Sequence, residues 1–193
     1  METAYKLGLE KQLLNTVGPR GKEVLENALS QVGFIPNMYA YMVNSPGLLD
    51  TYLHGYHLFR TASGFTPPEQ EVVFLSISYE NECAYCMAAH SAIADTKSKV
   101  PVEVTEAIRN GREIPDPKLK ALSEFTRTMV ATRGQPSDLD VEVFLAAGYI
   151  EKHILEIILA IAVKTLSNYS NHLFHTPVDP MFAARRWTDP REK

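Results

Sequence analysis

The two cysteines of the chain lie three residues apart, and a histidine follows them on the same segment. Cys83 and Cys86 form a C-x-x-C motif, and His90 lies four residues after the second cysteine. If this segment is helical, the three side chains fall within about 60° of one another on one face. Two thiols at this spacing can close a local disulfide, and an imidazole one turn away can exchange a proton with a thiol. The spacing therefore predicts a thiol-based redox site.

A thiol pair of this kind suits the reduction of a peroxide. One thiolate attacks the O–O bond and becomes a sulfenic acid, and the other thiol condenses with it to form a disulfide. We place Cys83 in the first turn of a helix capped by Asn81, where the field of the helix N-terminus lowers the pKa of a thiol. This chemistry uses no metal, nucleotide or organic cofactor, so we expect neither a metal nor a cofactor.

A base in a dry pocket is the second requirement of this chemistry, and Glu71 is the candidate. It lies twelve residues before Cys83, on the preceding predicted helix. If the two helices pack as an antiparallel pair, Glu71 faces the cysteines and can take part in proton transfer. The competing interpretation is a solvated acid in the first turn of its helix, where a carboxylate is favourable.

The composition restricts the class of protein. The chain has 193 residues, 45% hydrophobic and 22% charged, which is typical of a globular protein. We expect a single domain over residues 1–193, with an N-terminal arm at 1–20 and a C-terminal tail at 176–193. A net charge of −4 argues against a nucleic-acid partner. Residues 1–14 do not form a signal peptide and the apolar run 154–163 is too short to span a bilayer, so we expect a cytoplasmic protein without a membrane partner.

Hydrophobic periodicity predicts an all-α fold, because no segment alternates as a strand does. Proline and glycine residues set most of the predicted boundaries. The last helix is apolar around much of its circumference, so we expect it to be central. A shift of 84 residues aligns parts of the two halves of the chain, which suggests two related helical halves. The predicted helices cover residues 22–31, 37–43, 46–62, 67–78, 82–96, 101–111, 118–132, 137–147 and 151–174, with 97–101 as a linker.

The chemical motif resembles that of a known family. Glu71, followed after eleven residues by Cys83-x-x-Cys86-x-x-x-His90, is similar to the motif of AhpD-like alkylhydroperoxidases of the carboxymuconolactone decarboxylase superfamily. The likeness covers about residues 33–179 and extends to the "peroxidase-related" branch of that family. It implies an all-helical AhpD-like fold, a homo-oligomer such as a trimer or hexamer, a hydroperoxide substrate, and a thiol or dithiol reductant. The further runs that carry it are I-P-N-M at 35–38, N-S-P at 44–46, P-E-Q-E at 68–71 and S-N-Y-x-N-H at 167–172.

The resemblance also implies a role for each residue of the motif. Cys86 becomes the sulfenic acid, Cys83 resolves it, and Glu71 and His90 relay protons. The better-studied members carry a histidine directly before the second cysteine, where this chain has Tyr85. Tyrosine is not a base near neutral pH, but it can donate a hydrogen bond to a peroxide oxygen or pack in a substrate pocket. This departure leaves the peroxide preference and the reductant open.

Several other interpretations use the same residues. The thiols could act in a non-enzymatic redox sensor, bind zinc with His90 and a fourth ligand, or be inert in a decarboxylase-like lyase. His57 is a packing or surface residue or lines the substrate pocket. The other residues with more than one interpretation are His54 (surface, pocket or metal), Asn168, Asn171 and His172 (helix capping, subunit contact or catalysis), and the methionines and tyrosines of 38–56 (core or pocket mouth).

Overall fold

The computed structural model describes residues 4–192, and within this range it contains helices and no strand. The all-α prediction is therefore confirmed. Residues 1–3 of the predicted arm and residue 193 of the predicted tail lie outside the described range. The α-helices are α1 (Pro19–Val32), α2 (Asn37–Met42), α3 (Pro46–Ala62), α4 (Pro67–Glu80), α5 (Ala84–Ile93), α6 (Val102–Arg109), α7 (Pro117–Ala131), α8 (Asp138–Ala146) and α9 (Glu151–Phe174).

Proline and glycine explain why most of the helix boundaries match the prediction. Pro46, Pro67 and Pro117 each occupy the first helical position, where the missing N–H has no intrahelical partner to lose. The exception is α1, which begins three residues earlier than predicted. Gly18 is the N-cap of α1, and Pro19 is its first helical residue.

The start of the cysteine helix differs from the prediction. Asn81 is the C-cap of α4 and not the N-cap of α5. Glu82 then adopts a left-handed conformation with φ of 56°, and the extended Cys83 is itself the N-cap of α5. Cys86 is consequently in the first turn, while Cys83 stands just outside the helix. The helix ends at Ile93, and a π-helical turn, Ala94–Ser98, replaces the predicted last turn and linker.

The central helix of the molecule is α4 and not α9. From Glu69 to Tyr79 every residue of α4 is buried, including two glutamates and a glutamine. The expectation for α9 was wrong because only one side of α9 packs on the core. Its other side leaves apolar side chains more than 40% exposed, namely Leu155, Ile158, Tyr169 and Leu173.

The C-terminal segment crosses the outer side of α5. A short 3-10 helix, Pro180–Arg185, packs against α5, and the indole N–H of Trp187 donates to the carbonyl of Arg109 at 2.7 Å. In the range 4–192 no helix is long and apolar enough to cross a membrane. The segment thus brings residues distant in sequence next to the thiol helix.

Candidate active site

Helices α4 and α5 bring Glu71 and His90 into direct contact. The Glu71 Oε2 atom lies 2.8 Å from the His90 Nδ1 atom, and both side chains are buried. The prediction that Glu71 faces the cysteine helix is therefore confirmed. The alternative of a solvated first-turn acid is wrong, because the side chain of Glu71 has no exposed surface.

The contact fixes the protonation of the imidazole. An ionised carboxylate only accepts hydrogen bonds, so Nδ1 of His90 carries the proton and donates it to Glu71. Nε2 is then free to accept a proton. Burial lowers the pKa of His90, and the charge of Lys164 lowers it further. Together these two effects outweigh Glu71, which raises the pKa. The imidazole is thus neutral near pH 7 and suited to act as a base.

A third member of this network, Arg60 on α3, was not identified from the sequence. Its guanidinium donates to Glu71 Oε1, to the hydroxyl of Tyr56 at 2.7 Å, and to Gln70 Oε1 at 3.2 Å. Burial alone would raise the pKa of Glu71, but His90 and Arg60 outweigh this effect and the pKa is lowered. Glu71 therefore stays ionised. No local signal marks Arg60, because a cation in the last turn of a helix is common.

The two thiols differ in their access to the surface. Cys86 borders a cavity of about 450 Å³, whereas Cys83 is fully buried and does not line it. Both cysteines are free thiols. Asn171 on α9 places its amide nitrogen 3.4 Å from the Cys86 sulfur and 3.8 Å from the Cys83 sulfur, and the Ser167 hydroxyl lies 4.0 Å from Cys86. Asn171 therefore belongs to the thiol site as well as to a helix end.

The surroundings shift the pKa values of the two thiols in opposite directions. Burial raises the pKa of Cys86, but the hydrogen bond from Cys83 and the charge of Lys164 outweigh it, so the pKa lies well below the ordinary value. Burial and the hydrogen bond to Cys86 raise the pKa of Cys83 well above its ordinary value. Of the two thiols, Cys86 is therefore the one whose surroundings favour the thiolate.

Lys164 on α9 is the second charged residue that sequence reasoning missed. Its side chain is fully buried, and its ammonium nitrogen lies 5.6 Å from the centre of the Phe74 ring. The same ring is 4.9 Å from the imidazole of His90, measured between ring centres. A lysine on a helix usually extends to solvent, so its position in the sequence gives no signal of burial.

The cavity that reaches Cys86 is mainly apolar and aromatic. His57 lines it from an exposed position on α3, and Tyr85 lines it from α5. The hydroxyl of Tyr85 donates to Asp179 Oδ2 at 2.5 Å, so its proton is committed to the C-terminal segment. Burial and this hydrogen bond raise the pKa of Tyr85. The remaining lining residues include Phe34, Met38, Tyr39, Tyr52, Tyr56, Arg60, His90, Ile93, Lys97, Met181 and Phe182.

The remaining candidate residues differ in whether they reach the site. His54 and His172 are exposed, and Asn168 accepts a hydrogen bond from Asn81 at 3.0 Å. The methionines and tyrosines of 38–56 were predicted to be core residues or to form the pocket mouth. Met38, for example, is buried in the core and also lines the cavity. Among residues 4–192 no three His, Cys, Asp or Glu side chains are grouped so as to hold a metal ion.

Comparisons with known proteins identify related sequences and folds. Residues 46–135 match the carboxymuconolactone decarboxylase family. A peroxidase-related protein from Ralstonia eutropha JMP134, described as an alkylhydroperoxidase AhpD core, aligns at TM-score 0.78 and 20% identity, over 90% of this chain and 93% of that one. A peroxidase-related protein from Silicibacter sp. TM1040 aligns at TM-score 0.75 and 20% identity, over 94% of this chain and 95% of that one.

A third solved structure with this fold is named as a debrominase and not as a peroxidase-related protein. It is a cysteine-to-alanine variant of the debrominase Bmp8 in complex with 2,3,4-tribromopyrrole. It aligns at TM-score 0.73 and 15% identity, over 94% of this chain and 97% of that one. A search of curated proteins found no match. The structural likenesses confirm the AhpD-like fold that the sequence predicted.

Proposed function

We propose that this chain, which has an AhpD-like fold and matches the carboxymuconolactone decarboxylase family over residues 46–135, is an enzyme that reduces organic hydroperoxides with its paired thiols. One observation carries the proposal. Cys86 borders the cavity beside the neutral His90, while Cys83 lies buried behind it within hydrogen-bonding reach. A nucleophile open to substrate and a protected resolving thiol are what two-step peroxide reduction needs.

The reaction begins at the Cys86 thiolate. Its sulfur attacks the terminal oxygen of the hydroperoxide, the O–O bond breaks, and the alcohol leaves after taking up a proton. Cys86 is then a sulfenic acid. The Cys83 thiol attacks that sulfur, which forms the disulfide and releases water, so two electrons pass from the thiols to the peroxide. A dithiol or thiol reductant returns the disulfide to two thiols.

The network around His90 serves the proton transfer of the second step. In the second step Nε2 of His90 takes the proton that Cys83 loses and passes it to the departing hydroxide, which leaves as water. The alkoxide of the first step takes its proton from solvent. Glu71 holds the imidazole in the required tautomer through Nδ1, and Arg60 keeps Glu71 ionised. Tyr85 acts as cavity wall in this proposal, because its hydroxyl proton is directed to Asp179.

Mass spectrometry of the reduced protein tests the assignment of the thiols. One equivalent of cumene hydroperoxide should remove two protons from the wild type, and a sulfenic-acid trap should label Cys86 in Cys83→Ser. Cys86→Ser should consume no peroxide with a dithiol reductant. Two unreacted thiols in the wild type would overturn the proposal. Oxidation without turnover would indicate a redox sensor, and activity that survives thiol alkylation would indicate a lyase.

Reductive dehalogenation is a second candidate, because the cavity next to Cys86 is lined by aromatic side chains and the fold is shared with a debrominase. In that reaction two thiols and a bromoarene give the debrominated ring, bromide, a proton and the disulfide. Bromide release from a brominated pyrrole, lost in Cys86→Ser, would support it. Turnover of peroxide but not of the bromopyrrole would exclude it.

We also propose that the chain forms a homo-oligomer through the exposed apolar side of α9. Leu155 and Ile158 lie on this side and are 66% and 48% exposed. A continuous apolar stripe on a helix is typical of a surface that another chain covers. Sedimentation of the wild type and of Ile158→Glu tests this, since the charge should dissociate the assembly. The single domain, the two related halves and the cytoplasmic location stay predictions.

A further inference from the structure

Lys164 is unusual among the cations of this protein. Of the lysines and arginines that the structure describes, it alone is fully buried, and its ammonium nitrogen has no hydrogen-bond partner among the described residues. Removing an ammonium group from water without a counter-charge costs several kcal/mol. A folded protein that keeps a lysine here therefore has an anion nearby in at least one functional state.

The position of Lys164 on α9 identifies what lies nearest. Ser167 and Asn171 follow it by three and seven residues, so the three side chains share one stripe of the helix. This stripe faces the thiols, because Ser167 and Asn171 approach the sulfur of Cys86 at 4.0 and 3.4 Å. Phe74 of α4 closes the other side, 5.6 Å from the ammonium nitrogen.

The other titratable groups around this stripe do not supply the anion. Glu71 of α4 is already paired with Arg60 of α3 and His90 of α5. The pKa values of the nearby tyrosines are raised, mainly by burial, so their hydroxyls stay protonated. These tyrosines are Tyr39 of α2, Tyr52 and Tyr56 of α3, and Tyr85 of α5. Only the thiols of Cys83 and Cys86 remain.

We propose that Lys164 is the positioning residue that makes Cys86, and not Cys83, the thiolate of the reduced protein. The assignment of Cys86 as nucleophile rests on the proposed function, but the charge pairing does not. The position of Asn171 also favours a thiolate at Cys86, since its amide nitrogen lies closer to the Cys86 sulfur than to the Cys83 sulfur. The lowered pKa of Cys86 and the raised pKa of Cys83 agree with it.

The pairing has a consequence for the redox equilibrium. When the disulfide forms, Cys86 loses its negative charge and Lys164 keeps a buried charge without a partner. The cation therefore stabilises the dithiol form relative to the disulfide, which makes the disulfide a better electron acceptor. A reductant of moderate strength is then sufficient to complete the cycle.

The test compares Lys164→Met, which removes the charge at similar volume, with Lys152→Met as the control. Lys152 is on the same helix, is 61% exposed, and lies 4.0 Å from Glu156. Mass spectrometry measures the rate at which iodoacetamide alkylates Cys86 at pH values from 5 to 9. This rate should be nearly independent of pH in the wild type and in the control. In Lys164→Met the rate at pH 7 should fall about tenfold or more, because the thiolate fraction falls.

A redox titration of the same proteins provides the second readout. The equilibrium constant for reduction by dithiothreitol should fall about tenfold in Lys164→Met, which is about 30 mV for a two-electron couple. An unchanged alkylation profile together with an unchanged equilibrium constant would overturn the proposal. If Lys164→Met does not fold, Lys164→Gln replaces it. A shifted profile in a protein that never turns over peroxide would leave this inference standing and refute the proposed function.

Discussion

Replacing Glu71 by glutamine separates the charge of this residue from its size. The carboxylate is fully buried and holds together two residues from other helices, Arg60 and His90. Glutamine keeps the volume and can still hydrogen bond, but it leaves Arg60 without a counter-charge. The variant Glu71→Gln should therefore destabilise the protein through electrostatics and not through a cavity.

The structure sets the size of this effect. Removing one partner of a buried ion pair costs about 3–5 kcal/mol. The side chain of Arg60 is 18% exposed and keeps its hydrogen bonds to Tyr56 and Gln70, so the lower end, about 3 kcal/mol, is expected. For a protein of this length that corresponds to a loss of about 6–12 °C in Tm.

Urea unfolding at pH 7 measures the cost, and Glu69→Gln is the matched control. Glu69 is two residues away and also buried, but its partner Lys118 is half exposed and the loss should be about 1 kcal/mol. Arg60→Met combined with Glu71→Met should be less destabilising than Glu71→Gln, because it leaves no unpaired charge.

The pH dependence gives an independent check. The folded-state pKa of Glu71 is below its ordinary value of 4.5, so its contribution is present above that pH and is lost as the pH falls through the folded-state pKa. The difference between wild type and Glu71→Gln should shrink on acidification. If Glu71→Gln costs no more than Glu69→Gln at pH 7, the assigned role of the Arg60 pair is refuted.

Three further predictions concern Tyr85, Gly55 and His90. Tyr85→Phe should cost about 2 kcal/mol in urea unfolding, because it removes the donor to the buried carboxylate of Asp179. Gly55→Ala should cost about 1 kcal/mol, since the added Cβ would lie 2.8 Å from a methyl of Val163 and the gain in helix propensity offsets only part of the strain. Because the pKa of His90 is lowered in the folded state, stability should fall from pH 7.5 to 5.5, and less steeply in His90→Gln.

Each of these has a control on the same chain. Tyr5→Phe changes an exposed tyrosine and should leave the free energy of unfolding unchanged. Gly47→Ala adds a Cβ with no atom within 4 Å and should be neutral or stabilising. A Tyr85→Phe or Gly55→Ala variant as stable as its control, or an equal pH slope in His90→Gln, would contradict the corresponding argument.

The helices were predictable from the sequence because their boundaries are set locally. Thr66 and Glu69 illustrate this, since the Glu69 carboxylate accepts hydrogen bonds from the backbone N–H and hydroxyl of Thr66 at 2.8 Å, three residues apart. The sequence placed Cys83 two positions too far into its helix, because it is the N-cap and not the second helical residue. The turn before it depends on a left-handed Glu82, and glutamate has no local preference for that conformation.

The thiol site was only partly predictable for a different reason. Glu71 and His90 were found because they lie at fixed distances from the cysteines in sequence. Arg60, Lys164 and Asn171 come from other helices, and their positions depend on how those helices pack. A buried lysine and a surface lysine look alike in a sequence, so their burial becomes evident only in the assembled core.

The residues around the sulfur come from two separate parts of the chain. Residues 46–135, the part that matches the family, contain Glu71, both cysteines and His90. Lys164 and Phe182, which set the charge beside the sulfur and one wall of the cavity, lie outside it. Mutation outside residues 46–135 can therefore change the cavity wall and the charge near the thiols while the four motif residues stay the same. The match to the family model therefore covers the motif, whereas α9 and the C-terminal segment complete the surroundings of the sulfur.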